Sequence, residues 1–143
     1  THGTNIRSEI NIQDDLWLVD IDEGQISQVI QNIIINACQA MPAGGSIYVN
    51  ANNYEHNSIL QKDIPLSTGE FVKVSIKDEG IGILKELIDK IFDPYFTTKE
   101  NGQGLGLATT YSIIRKHNGT ITVESELNKG TTFTFFLPKT RNQ

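Results

Sequence analysis

The chain has little that would suit it to a bilayer, a nucleic-acid backbone or an oxidising compartment. Its 143 residues include one cysteine, Cys38, so no internal disulfide can form. Cys38 falls inside a helical apolar pattern and is expected to act as a small core hydrophobe. The longest apolar runs, such as Ile33-Ile34-Ile35, are far too short to span a membrane. No charged segment followed by an apolar stretch opens the sequence, so no secretory signal is read, and a cytoplasmic setting is expected. Basic residues are outnumbered, 12 to 17, for a net charge of −5, and they are scattered, with Arg115-Lys116 the only adjacent pair. That argues against a nucleic-acid binder, which needs clustered Lys and Arg. There is also no initiator methionine at Thr1, which leads us to expect a domain cut from a longer protein.

What is present is a soluble, globular balance, with 38% hydrophobic and 20% charged residues, at a length suited to one domain. Ile6, Ser8, Ile10 and Ile12 fall on one side of a half-buried strand, and residues 16–20 read as a second short strand. Asp22 followed by Gln25 three residues later reads as a capping box. Behind it, Ile26, Val29, Ile30, Ile33, Ile34, Ala37 and Met41 recur at the spacing of a helix buried along one stripe. Pro42 and Gly44-Gly45 stop that helix. Residues 46–52 and 71–77 alternate as strands around a polar loop, and a short helix is expected over 84–91. Residues 92–104 have no clean period, and so long a loop is either functional or disordered; its polar, glycine-rich sequence predicts mobility. A helix over 105–116 ends at Asn118-Gly119 in a left-handed cap, and two strands, 120–125 and 131–137, close the chain. The order predicts an α/β (α+β) two-layer sandwich, a mixed sheet covered on one face by about three helices.

Several residues carry chemistry. Asn32 and Asn36 are four apart and stack on one helix face, beside the isoleucine stripe. Their amide oxygens could ligate Mg2+, a hard ion that takes few donors from protein; the same pair could instead cap loops or face solvent. In DEGIGI (78–83), Asp78 shares the parity of Val72, Val74 and Ile76 and so points inward. An inward carboxylate needs a donor, and the adenine amine is suitable, while Gly80 and Gly82 let backbone approach a flat ring. In FDPYFTTK (92–99) and GQGLGL (102–107), Phe92 and Phe96 can anchor a lid. Lys99 is free to meet phosphate, and Gly102, Gly104 and Gly106 let N–H groups turn inward beside a helix start. A dinucleotide fold is excluded because no strand precedes these glycines, and a Walker loop because no Gly-Lys-Ser/Thr follows.

Taken in order, NIIINACQA (32–40), DEGIGI, FDPYFTTK, GQGLGL and KGTTFTFFLP (129–138) resemble the catalytic and ATP-binding domain of bacterial-type sensor histidine kinases. The resemblance covers nearly the whole chain. It implies the sandwich shared with gyrase, heat-shock chaperone and mismatch-repair ATPases, a mostly antiparallel sheet and a long ATP lid. It implies ATP and Mg2+ as cofactors, with Asn36 as metal ligand and Asn32 supporting it. Asp78 would receive the adenine amine with help from Thr131, and Gly80 and Gly82 would pack near the base. Lys99, Gly102, Gly104 and Gly106 would handle the phosphates. Ala40, Ile83, Phe96, Thr97, Thr98, Leu105 and Leu107 complete the implied nucleotide contacts, with Asn32, Asn36 and Lys99 as the catalytic set. Gln39 stands where many members carry Lys or Arg, and the last box lacks a further glycine near Asn128, which implies a less tight turn there.

Related hydrolytic ATPases place a glutamate general base four residues before the metal asparagine, and this chain has Asn32 there, an amide without useful basicity. Transfer to a protein acceptor is therefore favoured over hydrolysis. None of His2, His56 and His117 is followed by an acidic residue and Asn-Pro, as the kinase phosphoacceptor typically is; His117 is expected to meet the carbonyl end of its own helix. The acceptor would be a histidine on an absent dimerisation domain, and the phosphate would pass to a response regulator aspartate. The parent would be a homodimer and the isolated domain a monomer. A nucleotide-gated interaction module and an anti-sigma-type serine kinase are the alternatives.

Overall fold

A computed structural model of the chain describes residues 5–94 and 104–141. Among them run strand β1 (Ile6–Ile12), helix α1 (Glu23–Gln39), strands β2 (Gly45–His56) and β3 (Gly69–Asp78), and the short helix α2 (Lys85–Ile88). Helix α3 (Gly104–Lys116) and strands β4 (Thr120–Glu126) and β5 (Gly130–Pro138) complete the order. The five strands form one sheet, β1-β2-β3-β5-β4, in which β1 pairs with β2 in parallel and every other pairing is antiparallel. This is the mixed, mostly antiparallel sheet expected, with the helices on one face. The core lies between the layers. Val29, Ile33 and Ala37 of α1 and Ile113 and Ile114 of α3 pack with Ile47, Ile76, Phe133 and Phe135 of the sheet. A smaller cluster of Leu66, Phe71 and Phe136, flanked by Tyr54 and Ile64, covers the other sheet face at one end.

Several expectations fail, each for a tertiary reason. Ile10 and Ile12 are 63% and 60% exposed, because β1 is an edge strand and the helices pack over β3, β4 and β5; only Ile6 joins the core. Residues 16–20 form no strand, only a bridge between Val19 and Lys139. The helix expected over 84–91 is confined to Lys85–Ile88, with turns following. Cys38 is exposed, one position past the buried Ala37 and so turned off the stripe. Half of the capping box forms: Asp22 Oδ1 accepts from the Gln25 N–H at 3.0 Å, but the Asp22 N–H goes to His117 Nε2 at 3.1 Å. His117 Nδ1 meets the Ile113 carbonyl at 2.8 Å, as expected of the end of its helix, and the pair of bonds requires the proton on Nδ1. Asn118 takes φ 63°, and the Gly119 N–H reaches back to the Ile114 carbonyl, the left-handed cap anticipated. At the β4–β5 turn, Asn128 itself adopts φ 66°, so the turn closes without a further glycine.

Candidate active site

The end of β3 sets one side of the site. Asp78 follows Val72 and Ile76 onto the core face and is 5% exposed. Its Oδ1 accepts from the Gly80 N–H at 2.8 Å and the Thr131 N–H at 3.2 Å. Burial pushes the carboxyl above its ordinary range, and those two bonds pull it partly back. Among the described residues Oδ2 has no hydrogen-bond partner. The carboxylate is thus held by one oxygen and leaves the other as an acceptor.

Glycine keeps this corner narrow. A Cβ on Gly80 would come within 2.5 Å of Ala40 Cβ, so the loop after β3 can lie directly on the end of α1. There the Ala40 carbonyl accepts from the Ile81 N–H at 3.0 Å. Gly82 takes φ 79°, with the Glu126 carbonyl where its side chain would be. The Ile83 N–H donates to Ser125 Oγ at 2.8 Å, and Ser125 Oγ also meets Thr131 Oγ1 at 2.8 Å. Ser125 therefore ties the loop to the β4–β5 hairpin. Sequence reasoning missed it; its only local signal was a hydroxyl in a strand reading toward a turn.

The second side is the junction of α1 and α3. Asn32 Nδ2 donates to the Gly106 carbonyl at 3.0 Å and to Thr110 Oγ1 at 3.3 Å. Asn36 Nδ2 donates to the Asn32 main-chain carbonyl at 3.0 Å. The Asn32 nitrogen is thus engaged twice and the Asn36 nitrogen once inside the protein, which leaves both amide oxygens to a ligand. Gly104, Leu105 and Gly106 form the first turn of α3, and Leu107 is buried in the core. Phe92 packs against Tyr111 and Phe133, with ring centroids 5.5 and 6.2 Å apart. Phe96, Thr97, Thr98, Lys99 and Gly102 lie outside the described residues, so the structure brings together the Asp78 corner and the asparagine pair but says nothing of the lid. Thr110, wholly buried against Asn32, was the other residue missed.

A family model for histidine kinase-, DNA gyrase B- and HSP90-like ATPases matches residues 21–141. The catalytic domain of histidine kinase ThkA superposes with a TM-score of 0.74 at 33% identity, covering 94% of this chain and 80% of that one. The chain belongs to this family, among the histidine kinase catalytic domains. Sensor kinase CckA of Brucella abortus (strain 2308) is 41% identical over 142 residues, 96% of this chain and 15% of that protein. Full-length ShkA in complex with AMPPNP matches at 26% identity with a TM-score of 0.69, covering 96% of this chain and 26% of that one. The kinase domain is thus a small part of the length of such relatives. No described helix is long and apolar enough to cross a membrane.

Proposed function

We propose that this kinase domain binds ATP with Mg2+ and donates the γ-phosphate to a histidine on a separate dimerisation domain, for relay to a response regulator aspartate. The observation that carries the reading is Asp78: a buried carboxylate, fixed through Oδ1, with Oδ2 left over and, when ionised, able only to accept. An adenine amine is the donor that fits, with the Thr131 hydroxyl beside it. The AMPPNP complex of the ShkA relative supports a nucleotide ligand. Ala40, Gly80, Gly82 and Ile83 would line the base, and Asn32 and Asn36 would meet the phosphates. Gly104 to Leu107, with Lys99, Gly102 and residues 96–98 of the lid, would close over them.

Mg2+ suits the donors at the α1 junction, two neutral amide oxygens of the hard type it prefers. Among the described residues no three His, Cys, Asp or Glu side chains gather to hold a metal, so the ion would arrive with the triphosphate. Bound there, it would offset phosphate charge; the chain's own work is to position the donor, which is most of what phosphoryl transfer asks. Asn32 supplies no general base, and its nitrogen is committed to α3, which favours transfer over hydrolysis. The parent protein is proposed to be a homodimer, with this domain in the cytoplasm. The test adds γ-labelled ATP and a cognate dimerisation domain to this chain. Acid-labile label on a histidine is expected; tight ATP·Mg2+ binding with no label on any acceptor would replace the kinase reading with a nucleotide-gated interaction module.

A further inference from the structure

Thr110 is 0% exposed and sits one helical turn after Gly106 on α3. Its Oγ1 lies 2.9 Å from the Gly106 carbonyl, to which it can only donate, since a carbonyl cannot. The single hydroxyl proton is then used, so toward Asn32 Nδ2, 3.3 Å away, Oγ1 acts as acceptor. The Gly106 carbonyl accepts from the same Nδ2 at 3.0 Å. The Asn32 amide thus faces two acceptors, and both its N–H bonds are taken. Turning it over would set Oδ1 against the Gly106 carbonyl oxygen, with the one Thr110 hydroxyl proton to serve both, an arrangement that low polarity makes costly.

We infer that Thr110 is a positioning residue for the nucleotide site: its hydroxyl locks the Asn32 amide with nitrogen toward α3 and oxygen toward the ligand. This rests on the ATP reading above. The same geometry gives Asn32 a reason to be an amide rather than a carboxylate, because a carboxylate could not donate to Gly106 or Thr110. It also links the asparagine pair on α1 to the first turn of α3, so the phosphate side is set jointly by two helices.

The test is a titration of ATP with and without Mg2+ on this chain, on Thr110→Val and on Thr110→Ser. Thr110→Val keeps the volume and removes the hydroxyl; it should weaken ATP·Mg2+ binding by about three- to tenfold, the worth of one buried hydrogen bond. The loss should be smaller for metal-free ATP, which a merely structural defect would not produce. Thr110→Ser should restore the wild-type ratio of the two affinities. In an Asn32→Ala background, Thr110→Val should add no further loss. Should Thr110→Val fold poorly, Asn32→Asp, which removes the donor at constant shape, must show the same selective loss. Wild-type affinities in Thr110→Val, or an undiminished effect in the Asn32→Ala background, would overturn the inference while leaving the ATP reading intact. A wild-type chain that binds no ATP·Mg2+ would sink that reading and this inference with it.

Discussion

Asp78 and His56 sit at opposite ends of the β2–β3 ladder and are buried to nearly the same degree, 5% and 3% exposed, yet their surroundings differ in kind. Asp78 lies on the helix face, where Gly80 and Gly130 let backbone come close to it. His56 lies on the other face, at the end of β2, with the Tyr54 ring centroid 5.7 Å from its own. Tyr54 Oη and His56 Nδ1 are 2.8 Å apart, and His56 Nε2 is buried without a partner among the described residues. Burial, and then the nearby Asp63 charge, raise the Tyr54 phenol, so it keeps its proton and can donate. At the His56 end a buried nitrogen is closed off; at the Asp78 end one carboxylate oxygen is left open to accept. Burial alone does not mark a site. A carboxylate oxygen left free to accept does.

The sharpest way to break this contrast is at the closed end. Phe71→Ala removes a ring 5% exposed from the small cluster and should cost about 4 kcal/mol of stability, read by denaturant unfolding. ATP·Mg2+ affinity of the folded fraction should stay unchanged; a comparable loss of affinity would show that the two ends are not independent. Next in size is Asp78→Asn at the open end. An amide can still accept from Gly80 and Thr131, but it presents N–H groups where an adenine amine needs an acceptor. ATP·Mg2+ affinity should fall by about 10- to 100-fold, the range for a lost bond to a charged group. Wild-type affinity by calorimetric titration would remove Asp78 from the site.

Much of this contrast was legible in the sequence because it depends on period. The parity of Val72, Val74, Ile76 and Asp78 was enough to turn the carboxylate inward, and the stripe of α1 placed Asn32 and Asn36 at its border. What failed depended on where distant elements land. Ile10 and Ile12 have the alternation of a half-buried strand, but the described helices pack over β3, β4 and β5 instead. Thr110 and Ser125 gain their roles from partners far away in sequence, Asn32 and Ile83, that no local pattern announces. The reciprocal arm of the capping box was lost because His117, 95 residues away, reached the Asp22 N–H first.

The smallest effect distinguishes a group kept for binding from one kept for stability. Folded Asp78 holds its proton more tightly than an unfolded aspartate, since burial raises its pKa by more than the Gly80 and Thr131 bonds lower it. Its ionisation therefore costs the empty fold nothing below the ordinary aspartate pKa, and the cost grows as pH rises through the raised value. Above that window Asp78→Asn, which carries no charge, should stabilise the nucleotide-free domain, though it weakens ATP binding. The gain should vanish as the solution is acidified below the window, where wild-type Asp78 is protonated in both states. Over the same range wild-type ATP affinity should decline with falling pH, because the protonated acid gives up the acceptor that the adenine amine requires. Thermal melts of both forms across that pH range decide the matter. A variant less stable than wild type at neutral pH would mean that the carboxylate holds the β3 end together through Gly80 and Thr131, rather than being held there by them.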